Sequence, residues 1–274
     1  MIPGTLGESP YLLDGLLEQQ TELRVQQIIT DTAGYSDLIF GLFWLLGFQF
    51  SPRLADLGDS RLWRLDPKAH YGTLNGVARN GLRRELIVEN WDEFLRVAGS
   101  LKMGTVKPSE LIRGLQRGSK ISTLGRAIGE LGRIRKTMHL LSYISDVSYR
   151  RHILTKLNRH ESRNGLARHV FHGQKGELRQ RYREGQEDQL GALGLVVNAL
   201  ILWTTRYMNA ALNHLRNSGY VVDPDDEKRL SPLGSKYFHV QGRYHFALTD
   251  EAVRRGELRP LRDPNSFEPE SLIA

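Results

Sequence analysis

Residues 24–53, RVQQIITDTAGYSDLIFGLFWLLGFQFSPR, decide the fold class of this chain. The first eight residues mix β-branched and polar side chains, and a glycine-containing turn follows them, which predicts a strand ending at Asp31. Ser36 then precedes a strongly apolar segment that stops at a glycine, as expected for a capped helix over 37–46. The alternation in 48–51 predicts a second strand. This order of strand, helix and strand indicates an α/β fold.

Helical patterns dominate the rest of the chain. A first helix is predicted from Ser9, an N-cap followed by Pro10, to the low twenties. From 66 to about 149 the pattern predicts helices alone, which we interpret as a separate insert. The apolar segment 190–203 is shorter than the roughly 20 residues that span a bilayer, so we expect a buried core helix and no membrane. The proline-bearing tail from 223 is predicted to form loops.

The composition favours a polyanionic partner. Lysine and arginine outnumber aspartate and glutamate by 38 to 31, which gives a formal charge of +7. Because arginine binds phosphate oxygens bidentately and basic proteins release counterions from nucleic acid, DNA or RNA is favoured over a merely soluble basic protein. The lack of cysteine excludes disulfides and thiolate metal sites and fits a reducing compartment. Without a signal-peptide pattern at the N-terminus, we expect a cytoplasmic protein.

Four acidic positions are candidates for chemistry, each with a structural alternative. Asp31 lies at the carboxyl end of a predicted strand, where α/β folds bind ligands, although such an aspartate also caps a following helix or turn. Glu161 lies among basic and polar residues in RHESRN (159–164), which fits a phosphate-bearing groove and also a solvated helix face. Glu184 and Glu187, just upstream of the apolar helix, are rivals for the same role.

Several strings of residues resemble core motifs of Tn3-family transposases. In the first part of the chain they are TDTAGYSD (30–37), FGL (40–42), LLGF (45–48) and FSPR (50–53). Farther on they are LN (157–158), Glu161, RN (163–164), LAR (166–168), GE (176–177), LILW (200–203), Tyr207, LSPLG (230–234) and GRY (242–244). The resemblance therefore covers nearly the whole chain.

The resemblance implies a partial RNase H-like fold of the α/β class, mostly helical overall, with an Asp-Asp-Glu triad that holds two Mg²⁺ ions, Mn²⁺ serving as a substitute. It places the second aspartate at Asp31 and the glutamate at Glu161, 161 − 31 = 130 residues later. Both are then catalytic residues and metal ligands, and Glu184 is the alternative for the glutamate. The implied division is 1–65 for the part carrying Asp31, 66–150 for an all-helical insertion between the second aspartate and the glutamate, 151–222 for the part carrying Glu161, and 223–274 for a tail.

The implied function is DNA transposition by metal-dependent strand cleavage and strand transfer at transposon ends. The partners would be double-stranded DNA, both terminal inverted repeats and target DNA, and a second subunit in a homodimer of the full-length protein. A bacterial, nucleoid-associated location would follow. The basic residues nearest Glu161 are then expected to contact DNA phosphates, with a solvated basic helix as the alternative; they are Arg159, His160, Arg163 and Arg168.

The sequence departs from the family pattern at the first aspartate, which in the family lies well upstream of the helix predicted from Ser9. Asp14 is the only acid with a similar neighbourhood, and we interpret it as structural because it lies within that helix. We therefore expect an N-terminally truncated catalytic fragment that is inactive alone, and whether it acts as an enzyme stays open. The alternative is a non-catalytic DNA-binding or dimerisation remnant, or a regulator of transposition.

Overall fold

The computed structural model describes residues 9–19, 21–31, 36–56, 58, 60–116, 121–171, 177–178, 180–234, 238–239, 242, 249–258 and 261. Its elements in chain order are α1 (Ser9–Glu18), β1 (Gln27–Ile28), α2 (Asp37–Leu45), β2 (Gln49–Phe50), β3 (Trp63–Arg64), a 3₁₀ helix (Gly72–Gly76), β4 (Asn80–Gly81), α3 (Arg84–Glu89), α4 (Trp91–Lys102), α5 (Pro108–Leu115), α6 (Thr123–Ser145), α7 (Val147–Val170), α8 (Arg183–Asn217), α9 (Pro224–Arg229) and α10 (Asp250–Arg254). The chain divides into two compact units, residues 1–158 and 159–274. The mostly helical content with a few strands agrees with the predicted α/β class.

Helix α2 lies at the centre of the first unit, and its cap was predicted correctly. The Ser36 hydroxyl accepts a hydrogen bond from the backbone N–H of Ile39 at 3.3 Å, which satisfies one of the unpaired donors at the start of a helix. Every residue from Leu38 to Phe43 is buried, because the segment is apolar on all sides. Gly47 then adopts a φ of 86°, a left-handed conformation that glycine tolerates and that ends the helix.

The two strands on either side of α2 form a parallel pair. Gln27 pairs with Gln49, and Ile28 pairs with Phe50. The Phe50 ring stacks on Phe43 of α2 with centroids 4.5 Å apart. One face of the strand pair is therefore held against the apolar core around α2.

The prediction that residues 66 to 149 form helices alone is wrong for the first part of that range. Strands β3 and β4 pair in parallel, and a 3₁₀ helix lies between them. The Arg64 guanidinium donates to the carbonyl oxygens of Ala78 and Asn75 and ties the two ends of this segment together. Three glycines and a proline lie between residues 66 and 83, and both residue types disfavour a helix. Within residues 66–149, the first α-helix begins at Arg84.

The second unit contains the long helix α8, which was predicted as a helix but not with its observed exposure. Val197 is the one buried residue of α8 within the described part of the chain, whereas Leu195 is 73% exposed and Leu202 is 62% exposed. The expectation of a buried core helix over 190–203 is therefore wrong. By length and composition alone, α8 is long and apolar enough to cross a membrane. A single helix of this kind is weak evidence for a membrane span. In the tail, short helices α9 and α10 occur where loops were predicted.

Some predicted features lie outside the described residues. They are the glycine-containing turn at 32–35, Gly176, and the pair 243–244.

Candidate active site

Asp31 lies at the end of the β1–β2 ladder, directly opposite Arg53. Backbone hydrogen bonds continue past the two-residue strands, from the Ser51 N–H to the Ile28 carbonyl at 2.8 Å and from the Arg53 N–H to the Thr30 carbonyl at 2.8 Å. The register that pairs Gln27 with Gln49 places position 31 opposite position 53, four residues farther along each strand. In agreement, Arg53 Nη1 lies 3.9 Å from Asp31 Oδ1.

Asp31 shares a strand face with residues that contact helix α7. Alternate residues of a strand point to the same side, so Gln27, Ile29 and Asp31 share a face. The His152 Nε2 atom lies 3.2 Å from Gln27 Oε1. Ile29 packs against a buried cluster that includes Ile153 of α7. The strand face that carries Asp31 is therefore the face covered by α7, while the Phe50 face packs against α2.

A chain of hydrogen bonds fixes this face to α6 and α7. His139 of α6 is buried, and its Nε2 lies 3.0 Å from the Pro52 carbonyl oxygen. Because a carbonyl can only accept, Nε2 carries the proton, and Nδ1 of the neutral ring accepts from the Tyr149 hydroxyl at 3.1 Å. The Tyr149 oxygen in turn accepts from Ser51 Oγ at 2.7 Å, and Ser51 Oγ accepts from Gln27 Nε2 at 2.9 Å.

The neutral state of His139 follows from its environment. Burial lowers the pKa of His139 below its ordinary value, against an opposing effect of the hydrogen bond to the Pro52 carbonyl. In the unprotonated ring Nδ1 is the acceptor, whereas a protonated ring would have to donate to the Tyr149 oxygen and reverse the direction of this hydrogen bond. Burial therefore favours the unprotonated ring.

Two other acids in the first unit have structural roles. Asp37, at the start of α2, pairs with Arg133 at 3.0 Å and Lys136 at 3.1 Å on α6. Asp14 accepts a hydrogen bond from the Ser109 N–H at 2.9 Å in the first turn of α5. This contact gives Asp14 a structural role, because it satisfies a helix donor that lacks a partner within its own helix.

Glu161 and the predicted DNA-binding residues lie on α7. Glu161, Arg159, His160 and Arg168 are exposed, and Arg163 is half-buried. With 3.6 residues per turn, Glu161 shares a side of the helix with Arg168, seven residues later, whereas Arg159 and Arg163 lie roughly 160° away from Glu161 around the helix. Arg163 donates to Asn198 Oδ1 of α8 at 3.1 Å. Arg168 is therefore the predicted DNA-binding arginine that accompanies Glu161 on its face.

The rival glutamates lie at the start of α8. Glu184 is exposed in the first turn of the helix, where an acid is favoured by the helix dipole. Glu187 accepts a hydrogen bond from Arg183 at 2.8 Å, which lowers the pKa of its carboxyl group. Asp31 belongs to the first unit, and Glu161 and both rivals belong to the second.

The chemistry of Asp31 and Glu161 fits Mg²⁺ or Mn²⁺. Carboxylate oxygens are the hard donors that these ions prefer, and Mg²⁺ is commonly held by one or two carboxylates with substrate phosphates and water completing the shell. Both carboxylates are exposed. In the described part of the chain, no group of three His, Cys, Asp or Glu residues is arranged to hold a metal ion.

Comparison with known proteins identifies the family. A family model described as the Tn3 transposase DDE domain matches residues 1–244. The chain belongs to the Tn3 transposase DDE domain family.

Similarity to individual transposases supports this assignment. The Tn3-family chain is 54% identical over 261 residues to the transposase for transposon gamma-delta of Escherichia coli (strain K12), an alignment that covers 95% of this chain and 26% of that protein. It is 46% identical over 263 residues to the transposase for transposon Tn4556 of Streptomyces fradiae, covering 96% of this chain and 29% of that protein. It is 40% identical over 252 residues to the transposase for transposon Tn1546 of Enterococcus faecium, covering 92% of this chain and 25% of that protein. The chain thus spans about a quarter of the length of these relatives.

The structure of this Tn3-family chain adds residues that the sequence did not single out. Arg53 lies in the FSPR motif (50–53), but only the strand register places it opposite Asp31. The hydrogen bonds joining His139, Tyr149 and Ser51 link positions up to 98 residues apart, a separation over which spacing predicts no contact. Polar residues occupy every second position in the segment around β2. This alternation is the sequence signal that could have singled out Ser51.

Proposed function

We propose that this chain contributes two metal-binding acids, Asp31 and Glu161, to the catalytic domain of a DNA transposase. In this proposal the chain is part of an RNase H-like fold. Residues 1–65 and 151–222 carry the acids, 66–150 form the insertion between them, and 223–274 form the tail. Membership in the Tn3 transposase DDE domain family and similarity to the transposase for transposon gamma-delta support a role in transposition.

The match to the Tn3 transposase DDE domain over residues 1–244 carries the proposal. Asp31 lies on the strand face that α7 covers, as the contacts of Gln27 and Ile29 show. Glu161 lies in the string RHESRN (159–164), which carries part of the resemblance to the family, and this favours Glu161 over Glu184 as the glutamate of the triad.

The chemistry follows from the donor set. When bound, divalent ions stabilise the attacking and leaving oxygens of an in-line phosphoryl displacement and activate a water or 3′-hydroxyl nucleophile. The carboxylates of Asp31 and Glu161 hold the cations and form no covalent bond to DNA. Arg168 shares the side of Glu161 and binds a phosphate near it, while Arg159, His160 and Arg163 contact the DNA backbone elsewhere along α7.

The proposal assigns to this chain two acids of the triad that the resemblance implies, Asp31 and Glu161. We therefore expect it to bind Mg²⁺ weakly and not to transpose DNA alone. Its partner is double-stranded DNA, meaning terminal inverted repeats and target DNA. The remaining expectations are a homodimer of the full-length protein and a cytoplasmic, nucleoid-associated location.

One observation favours a second candidate, a non-catalytic dimerisation or DNA-binding role. Leu195, Leu202 and Trp203 of α8 are each at least half exposed. Apolar side chains exposed together are typical of protein interaction sites. Concentration-dependent association of this chain, lost in Leu202→Ser, would support this role.

Binding of Mn²⁺ tests the proposed site without requiring catalysis. Free Mn²⁺ can be measured by its electron paramagnetic resonance signal during a titration of the whole chain. We expect Asp31→Asn and Glu161→Gln each to weaken binding, while Glu184→Gln, a matched loss of one exposed glutamate charge, leaves it unchanged. If Glu184→Gln weakens binding and Glu161→Gln does not, the assignment of Glu161 is wrong.

A nuclease assay with Mg²⁺ or Mn²⁺ on terminal-repeat DNA tests the chemistry. Cleavage that disappears in both Asp31→Ala and Glu161→Ala would support the enzyme reading. Cleavage that survives both substitutions would overturn the site assignment.

A further inference from the structure

We propose that Arg53 binds a DNA phosphate beside Asp31, and that Asp31 holds this guanidinium only while no DNA is present. The proposal rests on the proposed function, because it assigns a phosphate-binding residue to the same site. It concerns a residue that lies outside α7 and its predicted DNA-binding side chains.

The peptide group that joins Pro52 to Arg53 is held by hydrogen bonds at both its N–H and its carbonyl oxygen. Its N–H donates to the Thr30 carbonyl at 2.8 Å, and the carbonyl of the preceding Pro52 accepts from His139 Nε2 at 3.0 Å. His139 is buried, so this second contact is shielded from water. The guanidinium therefore extends from a fixed point of the strand pair, which is the kind of support that a precise binding residue needs.

The contact between Arg53 and Asp31 is weak enough for a DNA phosphate to replace the Asp31 carboxylate as the partner of Arg53. Arg53 Nη1 lies 3.9 Å from Asp31 Oδ1, beyond hydrogen-bonding distance, and the two side chains are 49% and 68% exposed. Exposed ion pairs of this kind contribute little to stability. Within the described residues, no second acidic side chain pairs with Arg53 at 4 Å or less.

The charges at this position favour a phosphate as the other partner. A divalent ion on the Asp31 carboxylate would repel the guanidinium, and a phosphodiester oxygen would attract it. The planar fork of arginine binds two phosphate oxygens at once, which a lysine ammonium cannot do. A cation beside a metal-binding aspartate weakens metal binding in the free protein, so its presence is better explained by a role toward the anionic substrate.

The first test is the salt dependence of binding to an arbitrary-sequence DNA duplex, measured by fluorescence anisotropy with the whole chain in EDTA. We expect Arg53→Gln to reduce the slope of log K against log salt concentration by about 0.9, the value for one phosphate contact. Arg96→Gln is the matched control, because Arg96 is an exposed arginine of the first unit that pairs with Glu93 at 3.2 Å. An unchanged slope in Arg53→Gln, or an equal reduction in Arg96→Gln, would overturn the proposal, as would a wild-type chain that does not bind the duplex at low salt.

A double-mutant cycle tests whether Asp31 and Arg53 act on DNA as a pair. Asp31→Asn is expected to strengthen duplex binding in EDTA about two- to fivefold, because it releases Arg53 and removes a negative charge. In the Arg53→Gln background the same substitution should have a clearly smaller effect. If Asp31→Asn strengthens duplex binding equally in the wild-type chain and in Arg53→Gln, Asp31 and DNA do not compete for Arg53. Circular dichroism of each variant establishes that the fold is retained.

Binding of Mn²⁺ separates this proposal from the one on which it rests. Arg53→Gln should tighten Mn²⁺ binding about two- to fivefold, because it removes a cation near the carboxylate. Asp31→Asn should weaken it. If Asp31→Asn leaves Mn²⁺ binding unchanged, the proposed metal site fails, whatever the DNA slope shows. If only the DNA slope fails to change, the role of Arg53 is wrong and the metal site stands.

Discussion

Gly132 lies where α6 crosses α2, and its replacement by alanine tests the packing on which the first unit depends. A β-carbon at Gly132 would lie 1.7 Å from the carbonyl oxygen of Asp37 and 2.8 Å from the backbone nitrogen of Gly41. Both neighbours are backbone atoms of α2, so no side-chain rotation can relieve the contact. The two helices would have to separate, and the ion pairs of Asp37 with Arg133 and Lys136 would be stretched.

The size of the effect can be estimated from this contact. Forcing an extra methyl group into a well-packed core costs about 1–3 kcal/mol and occasionally more, and a clash with backbone belongs at the upper end of that range. Alanine gains about 0.5–1 kcal/mol over glycine within a helix. We therefore expect Gly132→Ala to lower the free energy of unfolding by about 2 kcal/mol or more.

Gly129 provides a control in the same helix. A β-carbon there would meet only the Asp37 β-carbon, at 4.0 Å, an ordinary contact distance. Gly129→Ala should therefore raise the free energy of unfolding by about 0.5–1 kcal/mol. Both variants can be measured by urea unfolding followed by tryptophan fluorescence. Guanidinium groups of α6 lie over the rings of Trp44 and Trp63, so the fluorescence of these tryptophans reports on the packing of α6. A change of the same sign in both variants, or no loss in Gly132→Ala, would refute the close crossing of the helices.

Two further predictions concern His139 and Asp14. The pKa of His139 is lowered by burial, so its contribution to stability is complete above about pH 6.5, the unfolded value, and is lost as the pH falls toward the folded value. Urea unfolding at a series of pH values should show a smaller loss in His139→Gln than in the wild-type chain, and equal losses would contradict the assignment. Asp14→Ala should cost about 0.5–2 kcal/mol, because it removes the acceptor for the Ser109 N–H at the start of α5, and it should leave Mn²⁺ binding unchanged. Weaker Mn²⁺ binding in Asp14→Ala would show that Asp14 is a metal ligand after all.

The features that the sequence predicted correctly are those with local causes. The hydroxyl of Ser36 caps α2, and Gly47 ends it, because capping and left-handed backbone depend on residues within one turn. Asp14 was placed in a helix, and its structural role followed from that placement. The order of strand, helix and strand in residues 24–53 was also predicted, because each of these elements follows from a local pattern of residues.

The features that the sequence did not predict depend on contacts between distant residues. The strand at Trp63 is supported by a hydrogen bond from its N–H to Thr137 Oγ1 at 3.1 Å, 74 residues away. The exposure of Leu195 depends on which neighbours cover α8, and an apolar pattern alone does not specify them. The contact between Asp31 and Arg53 depends on strand register, which the alternating pattern of a two-residue strand leaves undetermined.

The position of Asp31 therefore depends more on distant helices than on its own strand. A pair of two-residue strands is marginally stable by itself, because it forms few hydrogen bonds and buries little surface. Here one face of the pair is held by the stacking of Phe50 on α2, and the other by hydrogen bonds that join Ser51 to Tyr149 and His139. Helices α6 and α7 provide those hydrogen bonds through His139 and Tyr149, which lie between Asp31 and Glu161 in the sequence. We therefore infer that this intervening segment fixes the strand end from which Asp31 and Arg53 extend.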